Sequence, residues 1–272
     1  MKLDEARICI LRVGGTNCDA ETQRAFQSSG MPAEVVHYNQ LVRHRNLLDY
    51  HVLVIPGGFS HGDYVRAGAI WANRLMAKLG GEIARFINEE RPILGICNGF
   101  QVLVEAGLLP GFDGASKYPL AALATNTPAG YNCRWAFLTY QNRGKCVFTR
   151  QVADKSVLRV PIAHSEGRFM FAREREEEYF RQLLENDQLV FQYCNPDGNQ
   201  ARGTYPSNPN GSFRDIAAIC DSSGTIFGLM PHPERAYFGW QLPDWPEKDT
   251  VPSFGDGRLV FDSVAEYLTK KF

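Results

Sequence analysis

The chain has almost no charge bias. Its 29 Lys and Arg residues against 30 Asp and Glu leave a net charge of −1 over 272 residues. That balance speaks against nucleic acid or an anionic membrane as its main partner. It also lacks an apolar run of membrane-spanning length. The opening MKLDEARICILRVGG places acids early and keeps its apolar stretch short, so neither a signal peptide nor a transmembrane helix is expected. CxxC and Cys/His pairs at zinc spacing are missing as well. The seven cysteines, at 9, 18, 97, 133, 146, 194 and 220, are scattered and odd in number. This pattern fits a reduced, metal-free, cytoplasmic protein whose thiols mostly fill the core. Glycine loops follow two strands, but neither has the Lys-Ser/Thr of a P-loop or the G-x-G-x-x-G spacing, so no nucleotide site is expected. There are no internal repeats.

What is present is apolar and periodic. A hydrophobic share of 44% supports a sizeable core and one elaborated domain over 1–272. Short apolar runs, RICILRV, AEVVHY, HVLVIP and PILGI, read as strands. They alternate with helical patterns: AETQRAFQSS behind Asp19, AIWANRLMAKL and EIARFINEE, then NGFQVLVEAG. Strands apolar throughout, separated by helices, predict a parallel sheet covered on both faces. From Cys133 the pattern changes to β-like runs: CRWAFLTY, KCVFT and SVLRVPIAH. Asp221-Ser222-Ser223-Gly224 marks a hairpin turn, and GRLVFDSVAEYL reads as a last amphipathic helix. The expected fold is α/β: a doubly wound, mostly parallel sheet with antiparallel additions. The Pro- and aromatic-rich stretch 237–257 is expected to be a surface loop.

Three pieces of this sequence carry chemistry. In GICNG, Cys97 stands between glycines where a strand turns into a helix. Such an elbow exposes a nucleophile, and the helix N-terminus behind it favours a thiolate and offers N–H groups to an oxyanion. An isolated cysteine would more simply be a buried filler; the turn around this one favours function. Second, H-x-E occurs twice, as His164/Glu166 and His232/Glu234. In extended backbone, residues i and i+2 face the same way, so the carboxylate can orient the imidazole. Pro231 and Pro233 restrain His232, while Gly167 loosens the other pair, which selects His232 and Glu234 as the catalytic pair. Third, Gly57-Gly58 directly follows a buried strand and suits a second oxyanion donor, although a plain strand-ending turn would look the same.

Together, PGGFSHGDYVRAGAI, GICNGFQVL and MPHPERA resemble the class I (triad) glutamine amidotransferases. GGTNCDAE, AHSEGRF and NGSFRDIAAI are similar, more narrowly, to the glutaminase subunits of phosphoribosylformylglycinamidine synthase. The resemblance implies Cys97 as nucleophile, His232 as base and Glu234 as its orienting carboxylate. It implies an oxyanion hole from the N–H groups of Gly58 and Asn98, with Gln101 alongside the glutamine and backbone near Ser165 and Glu166 at its α-carboxylate. It implies no metal or cofactor in this chain. ATP and Mg²⁺ would belong to a synthetase subunit that takes the ammonia, in a complex with room for a small accessory subunit. Against the compact form of that subunit, this chain has extra length near 110–135 and 237–256. The loops 14–19 and 59–68, with Asn17, Asp19, His61, Asp63 and Arg66, are the expected partner-facing elements. The rivals are a γ-glutamyl peptidase, a stress protein with an elbow cysteine, and a non-catalytic subunit with a vestigial triad. The second would not need H-P-E, and the intact Cys, His and Glu argue against the third.

Overall fold

Four short strands, each of them almost wholly buried, run side by side through the centre of the protein. The computed structural model describes residues 1–247 and 250–272. β1 (Ile8–Arg12) pairs in parallel with β2 (Ala33–His37) and β3 (Val52–Ile55), and β4 (Ile93–Ile96) pairs in parallel with β3 and β11 (Ile226–Leu229). Every residue of β3, β4 and β11 is buried, as expected of strands covered on both faces. Beyond β11 the sheet continues antiparallel through β10 (Ile216–Cys220), β9 (Leu189–Cys194), β6 (Asn132–Tyr140) and β7 (Val157–His164), giving nine strands in the order β2-β1-β3-β4-β11-β10-β9-β6-β7. The expected architecture is therefore the observed one. The Asp221–Gly224 turn joins β10 to β11 as an antiparallel hairpin.

Helices close both faces. α1 (Asp19–Ser28) packs beside α6 (Arg258–Lys271), with the Phe26 and Phe261 rings edge to face at 5.0 Å. α3 (Ala69–Asn88) packs beside α4 (Asn98–Glu105). The two helical patterns of 69–79 and 82–90 join into this one 20-residue helix across Gly80-Gly81. Trp71, Leu75, Leu79, Ile83 and Phe86 keep helical spacing through the glycines and are all buried. Each such side chain contributes roughly 1.5–3 kcal/mol of burial, more than the glycines lose at about 1 kcal/mol apiece.

Several expectations need correction. KCVFT (145–149) is not a strand. It is a turn region whose Cys146, Val147 and Phe148 are nonetheless buried; apolar content came from packing, not from a sheet. α2 (Tyr38–His44), α5 (Glu176–Glu185), β5 (Ala121–Thr125) and β9 were not anticipated, while β8 (Glu166–Phe171) falls within the β-like stretch that runs from about Cys133 to Ala172. β5 and β8 form a separate antiparallel pair, so part of the 110–135 stretch is ordered structure. Nor is 237–257 only a surface loop. Tyr237 is fully buried against Phe238, Phe254 and Phe261. Residues 248 and 249 of that segment lie outside the described residues.

The parallel pairing has one consequence for function. The carboxyl ends of β1, β3, β4 and β11 share an edge. There the chain delivers Gly14-Gly15, Gly57-Gly58, Cys97 and His232.

Candidate active site

The β4–α4 junction is a sharp elbow. Cys97 has φ 51° and ψ −104°, a conformation costing a non-glycine residue about 1–3 kcal/mol. The surrounding glycines allow it by close packing. A Cβ on Gly99 would lie 1.8 Å from the Ile55 carbonyl oxygen, and one on Gly95 would lie 2.6–2.7 Å from Leu103 and Gly99. The start of α4 therefore sits directly on the ends of β3 and β4. The Cys97 N–H donates to the Leu229 carbonyl at 2.8 Å, which pins the elbow to β11.

His232 enters from the end of β11. Its N–H donates to Pro161 O at 2.8 Å, and its Nδ1 is 2.6 Å from Glu234 Oε1, with both side chains buried. The pair does not form by extended alternation, as the sequence reading held. Residues 233–236 make a single 3₁₀ turn begun by Pro233, and this turn brings the Glu234 carboxylate back under the imidazole. Proline suits that first helical position because its φ is already set. His232 Nε2 is buried and has no hydrogen-bond partner among the described residues. The Cys97 and Cys18 thiols both lie against the ring. Burial opposes protonation of His232, but the Glu234 carboxylate, Cys97 and Cys18 outweigh it and hold its pKa well above the usual imidazole value.

Cys18 is the residue that motif reading passed over. It stands at the start of α1, and its N–H donates to Gly57 O at 3.2 Å. Its Sγ is 3.2 Å from an Arg235 guanidinium nitrogen, and Arg235 is itself paired with Glu21 at 2.7 Å. Burial raises the Cys18 pKa to about 11, against the opposing pull of the nearby His232 ring, so this thiol stays protonated. Cys18, His232 and Glu234 place ligand atoms within 4.8 Å of one another. The guanidinium beside the sulfur and the Nδ1–carboxylate hydrogen bond make this a poor cation site. No signal beyond the placement of Cys18 after Gly14-Gly15 could have found it.

The remaining expected residues also gather here. Gly57 abuts the His232 ring; a Cβ there would meet Cε1 at 2.7 Å. Gly58 has φ 150° and bridges to Thr16. Among the described residues, neither the Gly58 nor the Asn98 N–H is taken up by a loop, cap or side-chain hydrogen bond. The Asn98 side chain accepts the Ser60 N–H (3.3 Å) and donates to Gln101 Oε1 (2.8 Å) and Asp63 Oδ1 (3.4 Å). Gln101 Nε2 donates to the Glu166 carbonyl at 2.5 Å, and Glu166 Oε2 accepts the Ala67 N–H at 3.1 Å. The second H-x-E therefore forms no pair: Glu166 turns to the 59–68 loop, and His164 Nδ1 faces Asn126 Oδ1 at 3.2 Å. Ser165 offers its carbonyl to the Asn126 N–H at 2.9 Å. The Ala163 carbonyl, at the end of the same strand, lies 3.8 Å from Cys97 Sγ.

Of the expected partner-facing residues, Arg66 makes a two-pronged pair with Glu105, 2.6 Å at each contact. Asp63 has its pKa raised to about 6 by burial and by the nearby Glu166. Asp19 does not cap α1 from outside; it is the first helical residue and pairs with Arg12 at 3.2 Å. In the same loop Tyr64 and Val65 are strongly exposed, Val65 with φ 73°.

A doubly wound sheet carrying an elbow cysteine beside a buried His–Glu pair sets the class as an α/β protein with these groups gathered at the carboxyl edge of the sheet. A profile of the CobB/CobQ-like glutamine amidotransferase domain matches residues 5–268, and the chain belongs to that family. It is 46% identical to the phosphoribosylformylglycinamidine synthase subunit PurQ of Archaeoglobus fulgidus, covering 99% of this chain and 100% of that one. It is 41% identical to the PurQ of Methanococcus maripaludis, over 97% and 98% respectively. A chain in the solved structure of PurLQS from Thermotoga maritima superposes with a TM-score of 0.71 at 32% identity, covering 97% of this chain and 99% of that chain. Among the described residues no helix is long and apolar enough to cross a membrane.

Proposed function

We propose that this chain hydrolyses glutamine to glutamate and ammonia and hands the ammonia to a synthetase subunit. That partner converts formylglycinamide ribonucleotide to formylglycinamidine ribonucleotide, using ATP and Mg²⁺, in the cytoplasmic synthesis of purines. The whole chain, 1–272, acts as one amidotransferase domain on which 110–135 and 237–256 are elaborations. It needs no cofactor of its own. Its partners are the synthetase and a small accessory subunit, in keeping with its likeness to a chain of PurLQS from Thermotoga maritima.

The observation that carries this reading is the elbow. A strained Cys97 stands at a helix N-terminus with the free Nε2 of a Glu-oriented His232 beside it. Cys97 passes its thiol proton to His232 Nε2 and attacks the side-chain amide carbon of glutamine, and the oxyanion is held by the N–H groups of Gly58 and Asn98. Losing one such donor typically costs about 3 kcal/mol. His232 gives a proton to the departing nitrogen, the C–N bond breaks, and a thioester remains on Cys97. His232 then takes a proton from water, which cleaves the thioester to glutamate. Gln101 and the backbone at Ser165 and Glu166 hold the amino-acid end of the substrate.

The test is ammonia release from glutamine by the complex with its synthetase, comparing wild type with Cys97→Ala. The variant is expected to lose glutamine use entirely, while synthesis from added free ammonia continues. Glutamine use at the wild-type rate would remove Cys97 as nucleophile. Turnover of γ-glutamyl peptides faster than glutamine would favour the peptidase reading.

A further inference from the structure

One buried asparagine holds the whole turn that faces Cys97. Asn126 follows β5 and is only 2% exposed. Its Nδ2 donates to the His164 carbonyl at 2.9 Å and to the Gly130 carbonyl at 3.1 Å. Its Oδ1 accepts the Gly167 N–H at 3.0 Å and faces His164 Nδ1 at 3.2 Å. Its own N–H donates to the Ser165 carbonyl at 2.9 Å. The backbone partners fix which end of the amide is oxygen, because carbonyls can only accept and the Gly167 N–H can only donate.

That assignment settles the state of His164. An oxygen opposite Nδ1 requires a hydrogen on Nδ1, so Nε2 carries a bare lone pair. This Nε2 is buried, with no partner among the described residues. A buried acceptor without a donor is costly and marks a place where a donor arrives. The ring also stays neutral, since burial and the neighbouring His232 hold its pKa down at about 3. Its backbone adjoins the reacting groups, since the preceding Ala163 carbonyl is 3.8 Å from Cys97 Sγ, and the ring lies near enough to feel the charge of His232.

We propose that His164 Nε2 accepts a hydrogen bond from the side-chain amide N–H of glutamine, and that Asn126 is the positioning residue that sets this tautomer and holds the His164–Gly167 turn. The proposal rests on the glutamine reading above. It gives the site a way to tell substrate from product. The amide of glutamine presents an N–H to the lone pair, whereas the carboxylate of glutamate presents only another lone pair. During the reaction His164 accepts a hydrogen bond and takes no proton. The proton that leaves with ammonia comes from His232, and His164 is too weak a base to compete for it.

Two measurements test this. The first is ¹⁵N-histidine spectroscopy on Cys97→Ala, which leaves Asn126 and His164 in place, with glutamine binding followed in parallel by calorimetry in the presence of the synthetase. An unprotonated Nε2 at neutral pH, shifted by glutamine and not by glutamate, is expected. A protonated Nε2, or a signal unmoved at saturating glutamine, would overturn the proposal. Failure to bind glutamine at all would overturn the glutamine reading, and this inference with it. The second is Asn126→Ala in the assembled complex. Glutamine-dependent kcat/KM is expected to fall about tenfold to a hundredfold, while synthesis from free ammonia is unchanged. A lowered melting temperature with kcat/KM per folded chain intact would make Asn126 a structural residue only.

Discussion

At the scale of single residues, the two histidines of the H-x-E motifs share a sequence pattern and differ in surroundings. His232 has a carboxylate at 2.6 Å and a raised pKa; His164 has a neutral amide and a pKa near 3. A base must be able to hold a proton, so of the two His232 is the one suited to the proposed role. His232→Ala is expected to lose about 10⁴–10⁶-fold in glutaminase rate, as deep as loss of Cys97, because a triad acts as a unit. His164→Ala is expected to lose about tenfold to a hundredfold. Steady-state kinetics on the two variants decides the order. Asp63 carries a pH effect of its own. Its carboxyl is raised to about 6 by burial and by Glu166, so its ionisation opposes folding. That destabilisation is absent well below pH 4 and grows as pH rises through about 6. Asp63→Asn should therefore raise the melting temperature by about 2–4 °C at pH 8 and leave it unchanged near pH 3. Thermal melts across that range provide the check, and a gain that is equal at both pH values would contradict it.

At the scale of elements, the elbow depends on how closely α4 approaches β3. Gly99 has no room for even a methyl group, since the Ile55 carbonyl oxygen would be 1.8 Å away. Gly99→Ala must push the helix start off the strand and carry the Asn98 N–H with it. A loss of about 1–3 kcal/mol in stability is expected, with a fall in kcat larger than the rise in KM, because an oxyanion donor acts in the transition state. Denaturant melts and kinetics measure the two halves separately; a stability loss with kcat unchanged would show that the donor does not depend on this contact.

For the whole molecule, the 59–68 loop connects a surface to the site. Its tip is exposed at Tyr64 and Val65, while its inner side reaches Asn98 through Ser60 and Asp63, Glu105 through Arg66, and Glu166 through Ala67. A partner that moves this loop would move the start of α4. The double change Asp63→Ala with Arg66→Ala is expected to leave the fold intact and to weaken, several-fold, the rise in glutaminase rate caused by the synthetase. Ammonia release with and without the partner, beside a thermal melt, reads this out. An unchanged response in a folded variant would shift attention to the 237–256 segment.

The sequence by itself determined the parts of this protein that depend on local chemistry and spacing. Unbroken apolar runs alternating with helical patterns fit doubly covered strands, so β1, β3 and β4 were legible. A thiol between glycines where a strand meets a helix favours an elbow turn, so Cys97 was legible, and Pro231 and Pro233 singled out His232 from the other H-x-E. What the tertiary structure decided depends on residues far apart in the chain. Glu234 reaches His232 through a 3₁₀ turn whose geometry two prolines alone do not announce. Cys18 meets His232 across 214 positions because β1 and β11 end at the same edge of the sheet. Asn126 finds His164 because β5 pairs with β8 across 41 positions or more. Burial, too, is set by the fold. Two imidazoles of equal intrinsic basicity become a strong and a weak base only when one is enclosed with a carboxylate and the other with an amide.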